Sequence, residues 1–187
     1  MGMPQASANW TAARVRALPA DGNRYELVDG ELLVTPSPSL VHQIAVTELF
    51  RVLDGYARPN RVGRVCLAPA DISLAEDEVL QPDVFVVPAA LKPRSWEDVR
   101  ALLLVIEVLS PGTARYDRLV KRRRYQRASV PEYWIVDLDA RLVERWRPDD
   151  TRPEILTETL EWTPVPGLPP LVIELPALFA EALGENG

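Results

Sequence analysis

Three charged residues stand where ordinary packing would not place them. Asp83 opens the apolar run Val84-Phe85-Val86-Val87, directly after Pro82. Glu107 interrupts the run from Leu102 to Leu109. Lys121 lies in the amphipathic stretch that follows. A carboxylate in a buried strand is expensive unless it is paired or bound to a metal. Two carboxylates from adjacent strands can converge on one hard cation with oxygen ligands, which suits Mg²⁺ or Mn²⁺. A lysine beside them can orient an attacking water or neutralise charge developing on a phosphate. Each residue also has a plainer use. Asp83 can cap the turn after Pro82, and Glu107 can satisfy backbone donors at a strand end. Lys121 has Asp117 four residues before it, the favourable order for a helical ion pair.

The surrounding pattern supplies the elements that would position these groups. Asp29-Gly30, between Tyr25–Val28 and Glu31–Val34, signals a two-residue hairpin turn. From Ser39, a plausible N-cap, to Tyr56 the apolar residues recur at helical spacing. Alternation predicts a strand over Arg64–Leu74, another strand starts at Asp83, and the nearly continuous apolar run Ala101–Leu109 reads as a fully buried one. Ser110-Pro111-Gly112 breaks the chain, and Thr113 caps a helix expected to reach about Ala128. Glu132–Asp137 and Leu142–Arg147 read as a hairpin pair, with Trp134 and Trp146 filling the core. Short strands near Ile155–Leu160 and Leu171–Leu175 and a terminal helical turn at Leu178–Leu183 complete the pattern. This order predicts an α/β fold, a mixed central sheet flanked by helices. Residues 1–20 form an arm with a short helical piece from Trp10 to Leu18, and 21–187 a single domain.

Composition narrows the function classes. The formal net charge of −6 argues against a surface that is cationic throughout, although a local basic groove remains compatible with it. The one dense basic stretch runs along the Thr113 helix, where Arg115, Arg118 and Arg122 surround Lys121. It either contacts phosphates or is a solvated face offsetting Glu97, Asp98, Glu132 and Asp137. A single cysteine, Cys66, precludes a disulfide within the chain and fits a reducing cytoplasm. No apolar run approaches a membrane span, and the N-terminus lacks the pattern of a secretory signal, so no membrane partner is expected.

The residues also resemble a known family. Pro82-Asp83, followed by Glu107 at the end of the next apolar strand, is similar to the signature of the PD-(D/E)xK nuclease superfamily. The wider pattern resembles its Uma-type branch of endonucleases. It includes Tyr25-Glu26-Leu27-Val28-Asp29-Gly30-Glu31, Ser37-Pro38 followed by His42, and Gln81-Pro82-Asp83. It continues through Ile106-Glu107-Val108-Leu109-Ser110-Pro111, Asp117 with Lys121, and Val130 to Asp137. The resemblance covers residues 24 to 147. It implies a restriction-endonuclease-like fold and metal-dependent hydrolysis of nucleic acid, with DNA as the expected substrate. Asp83 and Glu107 would hold the metal. The superfamily's usual lysine, two residues after the glutamate, is absent because Leu109 stands there, which points to Lys121 on the next helix. Glu31, preferred over Glu48, and His42 would complete the site, and Arg115, Arg118 and Arg122 would bind flanking phosphates. Cleavage of both strands of a duplex would call for a homodimer. Two other readings remain open: a nuclease-fold module that binds nucleic acid or protein with weak or lost activity, and a hydrolase of small phosphate esters.

Overall fold

The computed structural model describes residues 10–185. The first nine residues of the expected arm therefore lie outside the described residues. The rest of the arm carries α1 (Ala12–Arg16), capped by Thr11 and buried through Ala12 and Val15. It packs with Leu27, Leu32 and Val79 in a small apolar cluster beneath the first hairpin.

That hairpin joins β1 (Arg24–Val28) to β2 (Glu31–Thr35). Asp29 and Gly30 both have positive φ, 52° and 80°, as a tight turn matching strand twist requires. The hairpin is not part of the central sheet. Leu27 and Val79 exchange backbone hydrogen bonds of 2.8 and 3.0 Å, tying it to the loop that leads into Asp83.

The central sheet has six strands: β3 (Gly63–Leu67), β4 (Val84–Pro88), β5 (Leu104–Val108), β6 (Glu132–Asp137), β7 (Leu142–Trp146) and β8 (Glu154–Leu156), in that spatial order. All neighbours are antiparallel except β5 and β6, which are parallel. A parallel pair needs a crossover, and here it is helical. It consists of α3 (Ala114–Tyr116), a π-helical turn over Asp117–Lys121, and α4 (Arg122–Arg127).

Side-chain alternation assigns the two faces. Val84, Val86, Leu104, Ile106, Trp134 and Val136 face α2 (Leu40–Ala57) and the C-terminal elements. Those elements are β9 (Thr159–Trp162), β10 (Leu171–Glu174) and α5 (Leu175–Leu183). Phe85, Val87, Val105, Tyr133 and Ile135 face the crossover through Tyr125. Trp134 and Trp146 are buried, as expected.

Three boundaries differ from the sequence expectation. The strand expected to reach Leu74 ends at Leu67, and Ile72 instead makes an isolated bridge to Leu80. The stretch expected as one strand near Ile155–Leu160 divides into β8 and β9, which belong to different sheets. The last helix starts at Leu175, with a proline in its first turn, where the missing N–H costs nothing.

Candidate active site

Strand register explains why residues 24 positions apart converge. Val84 pairs with Ile106 and Phe85 with Val105. One step further, the same register sets Asp83 opposite Glu107. Glu107 has the parity of Val105, so its side chain points to the crossover face. Asp83 and Glu107 are 3% and 2% exposed, and both line a cavity of about 270 Å³ with Lys121, His42, Arg24, Glu26 and Asp117.

The cluster is tightly wired. Lys121 Nζ lies 2.9 Å from Glu26 Oε2, 3.1 Å from Glu107 Oε1 and 3.3 Å from Asp117 Oδ1. Tyr125 donates its hydroxyl to Glu107 Oε1 at 3.3 Å. Glu26 Oε1 accepts from the Gln81 backbone N–H at 2.8 Å. Arg24 Nη1 donates to Asp83 Oδ1 at 2.7 Å, and the Val108 N–H donates to Asp83 Oδ2 at 2.9 Å. His42 Nε2 donates to the Val108 carbonyl at 3.0 Å and lies 3.2 Å from Asp83 Oδ2. A carbonyl only accepts, so this contact fixes the proton on Nε2.

The π turn brings Asp117 and Lys121 inward together, both buried. Single π turns within helices recur at functional sites. The expected ion pair between these two residues is therefore present, but as part of the buried cluster and not on the surface.

Electrostatics follow from burial. For Asp83, desolvation pushes the carboxyl up, but the His42 hydrogen bond and the Arg24 charge outweigh it and leave the group well below the usual range. Glu107 goes the other way. Burial raises it, Lys121 pulls it back, and Asp83, Asp117 and Glu26 push it up again, so it ends well above normal. Burial lowers Lys121, but Glu107, Glu26 and Asp117 more than compensate, so the ammonium is held in its charged form. Fully ionised, Glu26, Asp83, Glu107 and Asp117 outnumber the cations Arg24 and Lys121 by two charges.

This donor set fits a hard divalent cation. Carboxyl groups outnumber cations, the hydrogen bonds to Glu107 run to Oε1 and leave Oε2, and buried Asp117 Oδ1 has only its 3.3 Å ion-pair contact with Lys121. Among the described residues no three His, Cys, Asp or Glu side chains form a ready-made metal cage. Mg²⁺ does not need one, since it keeps several waters and uses one or two carboxylates plus substrate phosphates.

The other expected site residues are placed differently. Glu31 is exposed at the start of β2 and does not line the cavity, and Glu48 is bound to Arg51 at 2.6 Å on α2. Glu26, two residues from the end of β1, occupies the place expected for Glu31. Glu31 pairs with Val28 beside the turn, so it shares Glu26's face but lies at the turn end of the hairpin, beyond the cavity. Arg118 bridges Asp137 at 2.9 Å and Glu144 at 2.6 Å, and Arg122 stacks over Trp146 with 4.4 Å to the ring centroid. Both are engaged by the protein and neither lines the cavity, so the offsetting of acidic residues describes Arg118 better than phosphate contact does. Arg115 is exposed on α3. Arg24, Glu26 and Asp117 were not singled out as site residues. Arg24 and Glu26 alternate along β1, and that period of two was the available signal.

A six-stranded mixed sheet with helices on both faces is the restriction-endonuclease-like architecture, and a solved structure carries the same fold. The chain superposes with a TM-score of 0.76 on the crystal structure of a "putative nuclease belonging to DUF820" from Anabaena variabilis, at 22% identity, covering 92% of this chain and 99% of that one. The chain belongs to the Uma2 family, described as "Putative restriction endonuclease", whose pattern matches residues 12–177. No curated protein matches it. Among the described residues, no helix is long and apolar enough to cross a membrane.

Proposed function

We propose that this protein is a divalent-metal-dependent endonuclease that hydrolyses phosphodiester bonds of DNA. The observation that carries this reading is the meeting of Asp83, Glu107 and Lys121 in one cavity whose buried carboxyl groups outnumber its cations. Membership of a family described as restriction endonucleases supports the substrate class and the use of a divalent ion.

Asp83 and Glu107 would hold Mg²⁺ or Mn²⁺. When bound, the ion would lower the pKa of a coordinated water and polarise a phosphate oxygen. The protein's own groups do the rest. His42 and the Val108 N–H hold Asp83 Oδ2, and Arg24 holds Oδ1, the oxygen a cation in the cavity would share. Lys121 is held as an ammonium by three carboxylates, so its role is to stabilise charge on the phosphate oxygens rather than to act as the base. Arg24, beside Asp83 at the cavity wall, would be a second cation for the phosphate. Glu26 and Asp117 aim the Lys121 amine. Cutting both strands of a duplex would need two sites, as a homodimer would supply.

One observation favours the alternative of a module without catalysis: both oxygens of Asp83 are already engaged. Cleavage of single-stranded and plasmid DNA with Mg²⁺ or Mn²⁺, with and without chelator, discriminates. Asp83→Asn, Glu107→Gln and Lys121→Ala should each reduce the cleavage rate by at least about 10²-fold while the fold persists. Metal-dependent activity that survives all three single changes would refute the mechanism.

A further inference from the structure

A second cavity of about 580 Å³ adjoins the carboxylate cluster and shares Arg24, Pro38, His42 and Asp83 with it. Its size is in the ~300–1,000 Å³ range of small-molecule sites. Its walls are mostly apolar, with Val46 and Ala70 among them, and Trp96, 42% exposed, also lines it. Three lining residues carry buried polar atoms without a hydrogen-bond partner: Arg24 Nε, His42 Nδ1 and Gln81 Oε1. Gln81 and His42 are themselves only 9% and 7% exposed. His42 Nδ1 is an unpartnered ring nitrogen that accepts in the neutral ring and donates in the protonated one, Gln81 Oε1 is an acceptor and Arg24 Nε a donor.

We propose that this cavity binds one unstacked nucleobase beside the scissile phosphate, so that the site acts on single-stranded or locally unpaired nucleic acid. The inference rests on the endonuclease reading, since the phosphate bound at the carboxylates is what brings a base to the adjoining pocket. A base still paired and stacked in a duplex cannot enter a cavity of this size, whereas a splayed one can. An apolar pocket with an aromatic rim suits the faces of a base, and unpaired donors and acceptors suit its edge.

The test uses an oligonucleotide with a single 2-aminopurine moved stepwise along it, bound to the whole protein as a single strand and as a duplex. Gln43 and Ala20 are exposed residues on the cavity wall, so Gln43→Trp and Ala20→Trp narrow it without disturbing the core. One position should change its emission on binding. The single strand should bind about tenfold more tightly than the duplex, and either tryptophan should remove the response at that position. Equal binding of both forms with no responding position overturns the proposal, as does a response that both tryptophans leave intact. Bis(p-nitrophenyl) phosphate, which has no base, reports on the carboxylate cluster alone. Its Mn²⁺-dependent turnover by the wild type without any 2-aminopurine response sinks the base pocket and leaves the endonuclease reading. A response without cleavage of any diester leaves the pocket and sinks that reading.

Discussion

The Lys121 ammonium lies closer to Glu26 (2.9 Å) than to Glu107 (3.1 Å), although Glu26 comes from a hairpin outside the central sheet. The backbone N–H of Gln81 holds the other oxygen of Glu26, two residues before Asp83. Through Gln81, Glu26 ties the position of Lys121 to that of Asp83.

On the proposed reading Glu26 positions the Lys121 amine without touching substrate. Glu26→Gln should lower kcat by about 10–100-fold, as loss of an outer-shell partner does, with KM little changed. Steady-state kinetics checks this. A purely structural role would instead lower the melting temperature and leave kcat per folded molecule intact.

Burial and the neighbouring carboxylates hold the Glu107 carboxyl well above its usual range, so keeping it in the fold costs stability at neutral pH. Glu107→Gln removes that cost and leaves Lys121 paired with Glu26 and Asp117. The cation-free variant should be more stable than the wild type by roughly 0.5–2 kcal/mol while losing activity. Urea unfolding in chelator reads this out, and a destabilised variant would show that the cluster is already balanced.

Among the arginines of the crossover the roles separate. Arg118→Ala breaks the bridges to Asp137 and Glu144, and because Arg118 is partly exposed its cost should be limited to about 1 kcal/mol. It should not alter the salt dependence of nucleic-acid binding. Arg115→Ala should instead leave stability unchanged and reduce the salt slope by about 1. Parallel melts and salt-titrated binding curves for the two variants check the division.

Gly63 is required by contact rather than conformation. A Cβ there would collide with the Val87 carbonyl oxygen across the β3–β4 pair. Gly63→Ala should destabilise the fold by about 1–3 kcal/mol, visible in thermal unfolding.

Much of the fold was legible because period-two alternation and hairpin chemistry are local. Asp29-Gly30, Ser39 and the apolar runs of β4, β5 and β6 all signal their structure within a few residues. The π turn was not legible, since five residues of apolar pattern do not separate a 3.6-residue turn from a wider one. Glu26 was hidden for another reason. Its burial depends on the hairpin docking through Leu27 and Val79, a contact between segments 52 positions apart that no local pattern announces. The convergence of Asp83 and Glu107 lay within reach, because two buried strands in sequence, each carrying one acid, invite pairing. The engagement of Arg118 with Asp137 and Glu144 depends on how the crossover sits over β6 and β7, and a charge run alone does not reveal it.

The central claim is that Asp83 and Glu107 together hold one divalent cation. Isothermal titration of the whole protein with Mn²⁺, alongside Asp83→Asn and Glu107→Gln, tests it most directly. A binding heat with one site per chain is expected in the wild type and should be lost in both variants, with circular dichroism showing each still folded. No heat in the wild type, or heat that persists in either folded variant, would contradict it.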